Sequence, residues 1–291
     1  MSHYLVLTAQ AGITDAHVAA VQSQLRANGA VAGDPVRLAP GAIEIALPEG
    51  WPESLNPRSF GESDCDLNIV PGAGRRKKML IADMDSTIIS VECIDELADF
   101  AGVKPQVSAI TEAAMRGDLD FEQAMLARVA LLKDLPESAL QECFETRILL
   151  NPGARTLVRT MAAFGAETAL VSGGFDFFSR RVASKAGFAR HQANALVIAD
   201  GRLTGDVARP ILGRQAKARS LQEISERAGI GTDGVLAIGD GANDLDMISA
   251  AGLGVAWRAK PVLAEAAAAR LDHSDLTAVL ALQGISRSEW R

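Results

Sequence analysis

The chain has 291 residues, 48% hydrophobic and 22% charged, a composition that suits a folded protein with one large domain and one smaller. Its 29 Lys and Arg against 36 Asp and Glu leave a formal charge of −7, which argues against general affinity for nucleic acid. No apolar run approaches the roughly 20 residues of a membrane span and no signal-peptide pattern opens the chain, so the cytosol is the expected location. Three cysteines (Cys65, Cys93, Cys143) without CxxC spacing argue against a disulfide framework or a zinc site, and the four histidines lie far apart.

Residues 4–9 read as a strand and 14–28 as an amphipathic helix, with Thr14 as N-cap and Gly29 just past its end. Short strands at 36–38 and 42–47 flank a Pro-Gly turn, and 65–70 adds a last strand after an irregular stretch at 48–63. This gives a small α+β unit over residues 1–72. The stretch 71–78 reads as a linker with a solvated basic tail, and a second domain is placed at 77–291.

That second domain opens on an apolar run, Met79 to Ala82, ending in Asp83-Met84-Asp85-Ser86-Thr87. Residues 91–150 show no clear strand but helical patterns at 93–100, 107–116, 121–132 and 138–145, as an inserted cap would. Alternation then resumes. A helix at 153–164 leads to a strand at 167–171 and a strand-to-helix turn, Ser172-Gly173-Gly174, before a helix at 175–187. A hairpin pattern turns at Asp200-Gly201, and a helix at 215–228 precedes a buried strand at 234–239 ending in Asp240-Gly241-Ala242-Asn243-Asp244. A strand at 253–256 and helices at 261–268 and 275–282 complete the series. The fold class that follows is α/β, a Rossmann-like doubly wound parallel sheet with a helical cap at about 91–150 and a small N-terminal α+β domain.

Three strands therefore end in functional groups on one sheet edge, the edge where open α/β sheets bind ligands. Taken singly, each group has a plain structural use: acidic pairs cap helices, Ser-Gly-Gly is an ordinary loop, and a helix lysine such as Lys217 is solvated. Together they point to chemistry. Converging carboxylates repel, and a hard cation with oxygen ligands, most simply Mg²⁺, relieves the repulsion and attracts phosphate oxygens. Ser172 with the free N–H groups of the following glycines suits an anion, and Lys217 supplies a balancing charge.

In order, Asp83-Met84-Asp85-Ser86-Thr87, Ser172-Gly173-Gly174, Lys217 and Asp240-Gly241-Ala242-Asn243-Asp244 resemble the four motifs of the haloacid dehalogenase superfamily of phosphohydrolases. Within it, the run 90–98 after the first motif, with Arg116-Gly117-Asp118-Leu119-Asp120-Phe121 and Arg128-Val129-Ala130-Leu131-Leu132, resembles the phosphoserine phosphatase family. The resemblance implies Asp83 as nucleophile and Asp85 as acid and base, with Mg²⁺ held by Asp83, the Asp85 carbonyl and Asp240. It implies Ser172, Gly173 and Lys217 on the phosphoryl oxygens, with Asn243 and Asp244 in support. Glu92 and Arg128 would take the ammonium and carboxylate of O-phosphoserine, and Met115 and Phe121 would close over it. Taken alone, Glu92 and Arg128 also fit a surface ion pair, and Met115 and Phe121 a helix core. The N-terminal outline resembles the ACT module, which would bind an amino acid, form a homodimer, or serve only as structure. Two alternatives stay open, a phosphotransferase passing the phosphoryl group to an alcohol such as homoserine, and a non-enzymatic amino-acid sensor.

Overall fold

Two sheets organise the chain. The computed structural model describes residues 2–30, 32–51, 56–57, 60, 64–115 and 118–291, with Met115 described by its backbone alone. The first sheet holds β1 (His3–Thr8), β2 (Pro35–Ala39), β3 (Ala42–Leu47) and β4 (Asp66–Pro71) in the order β2-β3-β1-β4, every neighbour antiparallel. Side chains alternate between its faces. Leu5, Leu7, Ile43 and Ile45 pack with Val21 and Leu25 of α1 (Asp15–Ala27), while Val6, Ala42 and Val70 join the core of the larger unit. Helix α1 starts as expected: Thr14 Oγ1 accepts the His17 N–H and His17 Nδ1 accepts the Thr14 N–H. Much of the 48–63 stretch lies outside the described residues.

Next come β5 (Met79–Ala82) and the four cap helices, α2 (Cys93–Phe100), α3 (Lys104–Met115), α4 (Phe121–Ala130) and α5 (Glu137–Arg147). Helix α6 (Ala154–Ala163), β6 (Glu167–Phe175), α7 (Asp176–Ala186) and β7 (Arg190–Asn194) follow, then a hairpin of β8 (Leu196–Ala199) and β9 (Arg202–Val207). The chain closes with α8 (Arg214–Arg227), β10 (Val235–Gly239), α9 (Leu245–Ala250), β11 (Leu253–Trp257), α10 (Pro261–Ala266), β12 (Ala269–Leu271) and α11 (Ala278–Leu282). The second sheet runs β12-β11-β10-β5-β6-β7 and is parallel throughout. Its central strands β5 and β10 are fully buried, which is why they read as unbroken apolar runs. The doubly wound fold class is as expected. The hairpin belongs with the cap: Gly205 lies against Ala130 and Lys133, and Pro136 bridges to Arg202.

Two expectations need correction. Ser172-Gly173-Gly174 is not a strand-to-helix turn, because β6 continues to Phe175 through a register shift against β7 between Val171 and Phe175. The helix dipole therefore begins beyond the glycines, at Asp176.

The second correction concerns the basic tail of the linker. Arg75 is buried, with Nη1 2.6 Å from Glu44 Oε2, Nε and Nη2 donating to the carbonyls of Leu282 and Ala281, and its guanidinium 4.4 Å from the Tyr4 ring centroid. The end of α11 turns carbonyls with spare accepting capacity and the negative pole of its dipole outward, and a planar guanidinium can serve two carbonyls and a carboxylate together. On the same seam the Asn68 side-chain amide closes both the N–H and the C=O of Arg270. Asp66 accepts from the N–H groups of Asp272 and His273 and from Ser274 Oγ; burial pushes its carboxyl up. These bonds join the N-terminal sheet to the edge of the parallel one.

Candidate active site

Strands β5, β6 and β10 deliver their carboxyl ends to one place. Asp83 leaves β5 with its N–H on the Ile238 carbonyl, and its Oδ1 lies 2.7 Å from Lys217 Nζ. The ammonium, carried by α8 and buried, meets Asp244 Oδ1 on its other side at 2.6 Å. Asp244 Oδ2 accepts the N–H groups of Asp240 and Gly241, so this carboxylate fixes both the lysine and the turn after β10. Asp240 Oδ1 accepts the Thr87 hydroxyl at 3.1 Å.

Asp85 faces a different way. Its Oδ1 accepts the Cys93 N–H at 3.0 Å, and its Oδ2 lies 3.3 Å from the Ser172 hydroxyl that donates to it. Ser172 Oγ in turn accepts the Gly174 N–H at 2.8 Å. A Cβ on Gly174 would stand 2.5 Å from Asp85 Oδ2, so only glycine lets β6 approach the carboxyl so closely. Ser86 adopts a left-handed φ of 55°, uncommon for a non-glycine residue, and its hydroxyl donates to Glu92 Oε1 at 2.6 Å.

Carboxylate oxygens of Asp83, Asp240 and Asp244 lie within 4.8 Å of one another. Burial and then the Asp244 charge push the Asp83 carboxyl well up, Lys217 only partly opposing them. Burial pushes Asp85 up to about 7, with Glu92 adding to the shift, and Asp240 up to about 6, with Asp244 adding to it. Burial also works against the Lys217 ammonium, but Asp244 and Asp83 outweigh it and hold it protonated. Asp244 is engaged by the lysine and two amides. Asp83 spends only Oδ1, on Lys217 and the Met84 N–H, which leaves its other oxygen and Asp240 as an all-oxygen pair suited to a hard divalent cation such as Mg²⁺, whose charge would reverse the upward shifts.

The sign of the pH effect follows. Asp85 and Asp240 bind protons more readily in the folded chain than at the ordinary value of 3.8, so their stabilisation is complete below that value. It is lost as pH rises through about 6 and about 7. A cation held between Asp83 and Asp240 would compete with those protons, so the Tm gained on adding Mg²⁺ is expected to be larger near pH 8 than near pH 5.5. Thermal melts with and without Mg²⁺ check this, and an equal gain at both values would contradict it.

On the cap side, Glu92 stands exposed just before α2, and Arg128 of α4 is half-buried, with Nε on the Ala124 carbonyl and Nη1 3.4 Å from Thr111 Oγ1. Burial lowers the Arg128 pKa, and the charges of Asp95, Glu92 and Asp85 oppose that. Phe121 lies over Gly173 of β6 and Gly213 before α8: a Cβ on Gly173 would come 3.0 Å from its Cζ, and one on Gly213 3.1 Å from its Cδ1. Asn243 is half-buried with its Oδ1 folded against Gly241. The Met115 side chain lies outside the described residues. Cys93 and Thr87 went unassigned from sequence, and the Gly174 N–H, expected to be free for an anion, donates to Ser172 Oγ instead. Thr87 sits inside a motif and had a signal there, whereas Cys93 gives Asp85 both its backbone N–H and its thiol, and a lone cysteine carries no signal of that use.

Such a site can hold a divalent cation, present a buried carboxylate beside a fixed ammonium, and offer a second buried carboxyl whose surroundings favour its protonated form. The family profile of haloacid dehalogenase-like hydrolases matches residues 80–249. The chain is 46% identical over 222 residues to a phosphoserine phosphatase of Streptomyces coelicolor; the match covers 76% of this chain and 54% of the relative, so the chain spans about half of that protein's length. A solved structure of a haloacid dehalogenase family hydrolase from Salmonella enterica serovar Typhi superposes with a TM-score of 0.86 at 32% identity, covering 97% of this chain and 98% of that one. A phospho-aspartyl intermediate analogue of phosphoserine phosphatase superposes at 0.66 with 41% identity, covering 70% of this chain and 98% of that one. The chain belongs to the haloacid dehalogenase-like hydrolases.

Proposed function

We propose that the protein is a Mg²⁺-dependent phosphatase that converts O-phospho-L-serine to L-serine and phosphate, the last step of serine biosynthesis. The observation that carries this reading is the buried Asp83–Lys217–Asp244 line beside Asp85, roofed by a cap bearing Glu92 and Arg128. Asp83, the Asp85 carbonyl and Asp240 would hold the cation. Bound there, Mg²⁺ supplies the positive charge that lets a phosphate dianion approach a carboxylate.

An Asp83 carboxylate oxygen attacks phosphorus, and the phosphorus–oxygen bond to serine breaks with its electron pair going to the serine oxygen. Asp85, buried with Oδ2 beside the Ser172 hydroxyl, gives that oxygen its proton. It then takes a proton from the water that attacks the aspartyl phosphate, which releases phosphate and restores Asp83. Ser172, the Gly173 N–H and Lys217 receive the phosphoryl oxygens, with Asn243 and Asp244 fixing their surroundings. Glu92 binds the substrate ammonium and Arg128 its carboxylate, while Phe121 and Met115 exclude water. Residues 1–72 act as an ACT-like module in a cytosolic protein.

Relatives named phosphoserine phosphatase support the substrate, among them the Streptomyces coelicolor protein. Product analysis with and without homoserine tests the reaction class. Free phosphate equal to the serine formed is expected in both cases, and phosphate that passes to the alcohol without appearing free would replace hydrolysis by transfer.

A further inference from the structure

The cap joins the core through two crossing segments. Residues 88–90 leave and 149–151 return, with the Ser90 N–H on the Leu149 carbonyl, the Asn151 N–H on the Ile88 carbonyl and a bridge between Ile89 and Leu150. Over this short ladder lies the buried side chain of Asn151, whose Nδ2 donates to the carbonyls of Thr87 at 2.7 Å and Ile89 at 3.1 Å. A primary amide offers two N–H donors from one nitrogen, as two converging carbonyls require. Thr87, fully buried, then directs its hydroxyl to Asp240 Oδ1. A continuous line of bonds thus runs from the cap's return segment to a carboxylate of the acidic cluster.

We infer that Asn151 is a positioning residue: it locks the two cap connections together and, by fixing the Thr87 backbone, sets the direction in which Asp240 presents its free oxygen to the cation. The inference rests on the reading of Asp240 as a metal holder. Thr87 stands one step from the ligand and Asn151 two, and loss of a group one step removed commonly weakens metal binding by an order of magnitude. An aspartate at 151 is the sharp substitution, since it keeps the shape but turns an oxygen toward two carbonyls. Among the described residues Asn151 makes no side-chain hydrogen bond to Lys217 or Arg128, so phosphoryl and carboxylate binding are expected to change less than metal binding.

The test is Mg²⁺ binding to the full chain, measured by calorimetry without substrate, for wild type, Asn151→Asp, Asn151→Leu, Thr87→Val and the Asn151→Leu/Thr87→Val pair. Thr87→Val is expected to bind Mg²⁺ about tenfold more weakly, and the Asn151 variants, one bond further out, about three- to tenfold. The pair is expected to be no weaker than Thr87→Val alone, because both changes cut one line. Folded Asn151 variants binding within about twofold of wild type, whatever their Tm, would overturn the inference, as would full additivity in the pair. If the larger changes fail to fold, Asn151→Ser, which keeps one donor, carries the same comparison. A wild-type chain that binds no Mg²⁺ would overturn the metal reading itself, whereas equal binding by wild type and variants would remove only the role of Asn151.

Discussion

Asp83→Asn is expected to lower turnover by at least about 10⁴-fold while leaving the chain folded, because an amide is too poor a nucleophile to accept the phosphoryl group. Its effect on stability should run the other way from most buried substitutions. Asp83 lies in a crowd of carboxylates whose burial and mutual repulsion push its carboxyl well up, and neutralising it removes part of that repulsion. Lys217 keeps Asp244 at 2.6 Å, so its ammonium does not become an unpaired buried charge. The metal-free variant should therefore melt at or above the wild-type temperature. Activity assays and melts check the two halves separately, and appreciable residual turnover would remove Asp83 from the nucleophile's role.

Arg128→Ala is expected to raise KM for O-phospho-L-serine about 100-fold. Two charge-assisted hydrogen bonds to a carboxylate are worth about 3 kcal/mol together, and about 1.4 kcal/mol corresponds to a factor of ten. p-Nitrophenyl phosphate has no carboxylate, so its KM should change by less than about threefold. That contrast separates recognition from structure. Arg128 also bonds the Ala124 carbonyl and reaches Thr111, so a loosened cap would weaken both substrates alike. Equal losses for the two would take Arg128 out of the specificity role.

Buried strands were the most legible part of the fold. Met79 to Ala82 and Val235 to Gly239 are apolar throughout because neighbours cover both faces. Strand β7 gave no such signal. It is an edge strand whose Arg190, His191 and Gln192 are exposed, and β12 has only three residues. The four motifs were readable because each chemical group sits at or just past a strand end, or on a helix leading to one. Distance in sequence hid the rest. Arg75 looks like one more solvated cation until α11, more than 200 residues later, brings its carbonyls to it. Asn151 looks like a turn residue before Pro152, and its two carbonyl partners lie 64 and 62 residues back. The extension of β6 through Ser172 and the glycines follows from the register against β7, which the local sequence does not encode.

The central claim is that the buried carboxylates and the charged pair on the cap act together on a phosphorylated amino acid. The most direct measurement is the rate of phosphate release from O-phospho-L-serine and from glycerol phosphate, with Mg²⁺ supplied and withheld. Glycerol phosphate offers the same ester without ammonium or carboxylate. The expected result is a kcat/KM for O-phospho-L-serine at least about 100-fold higher, with activity on both lost when Mg²⁺ is removed. Equal rates on the two esters, or full activity without the cation, would contradict it.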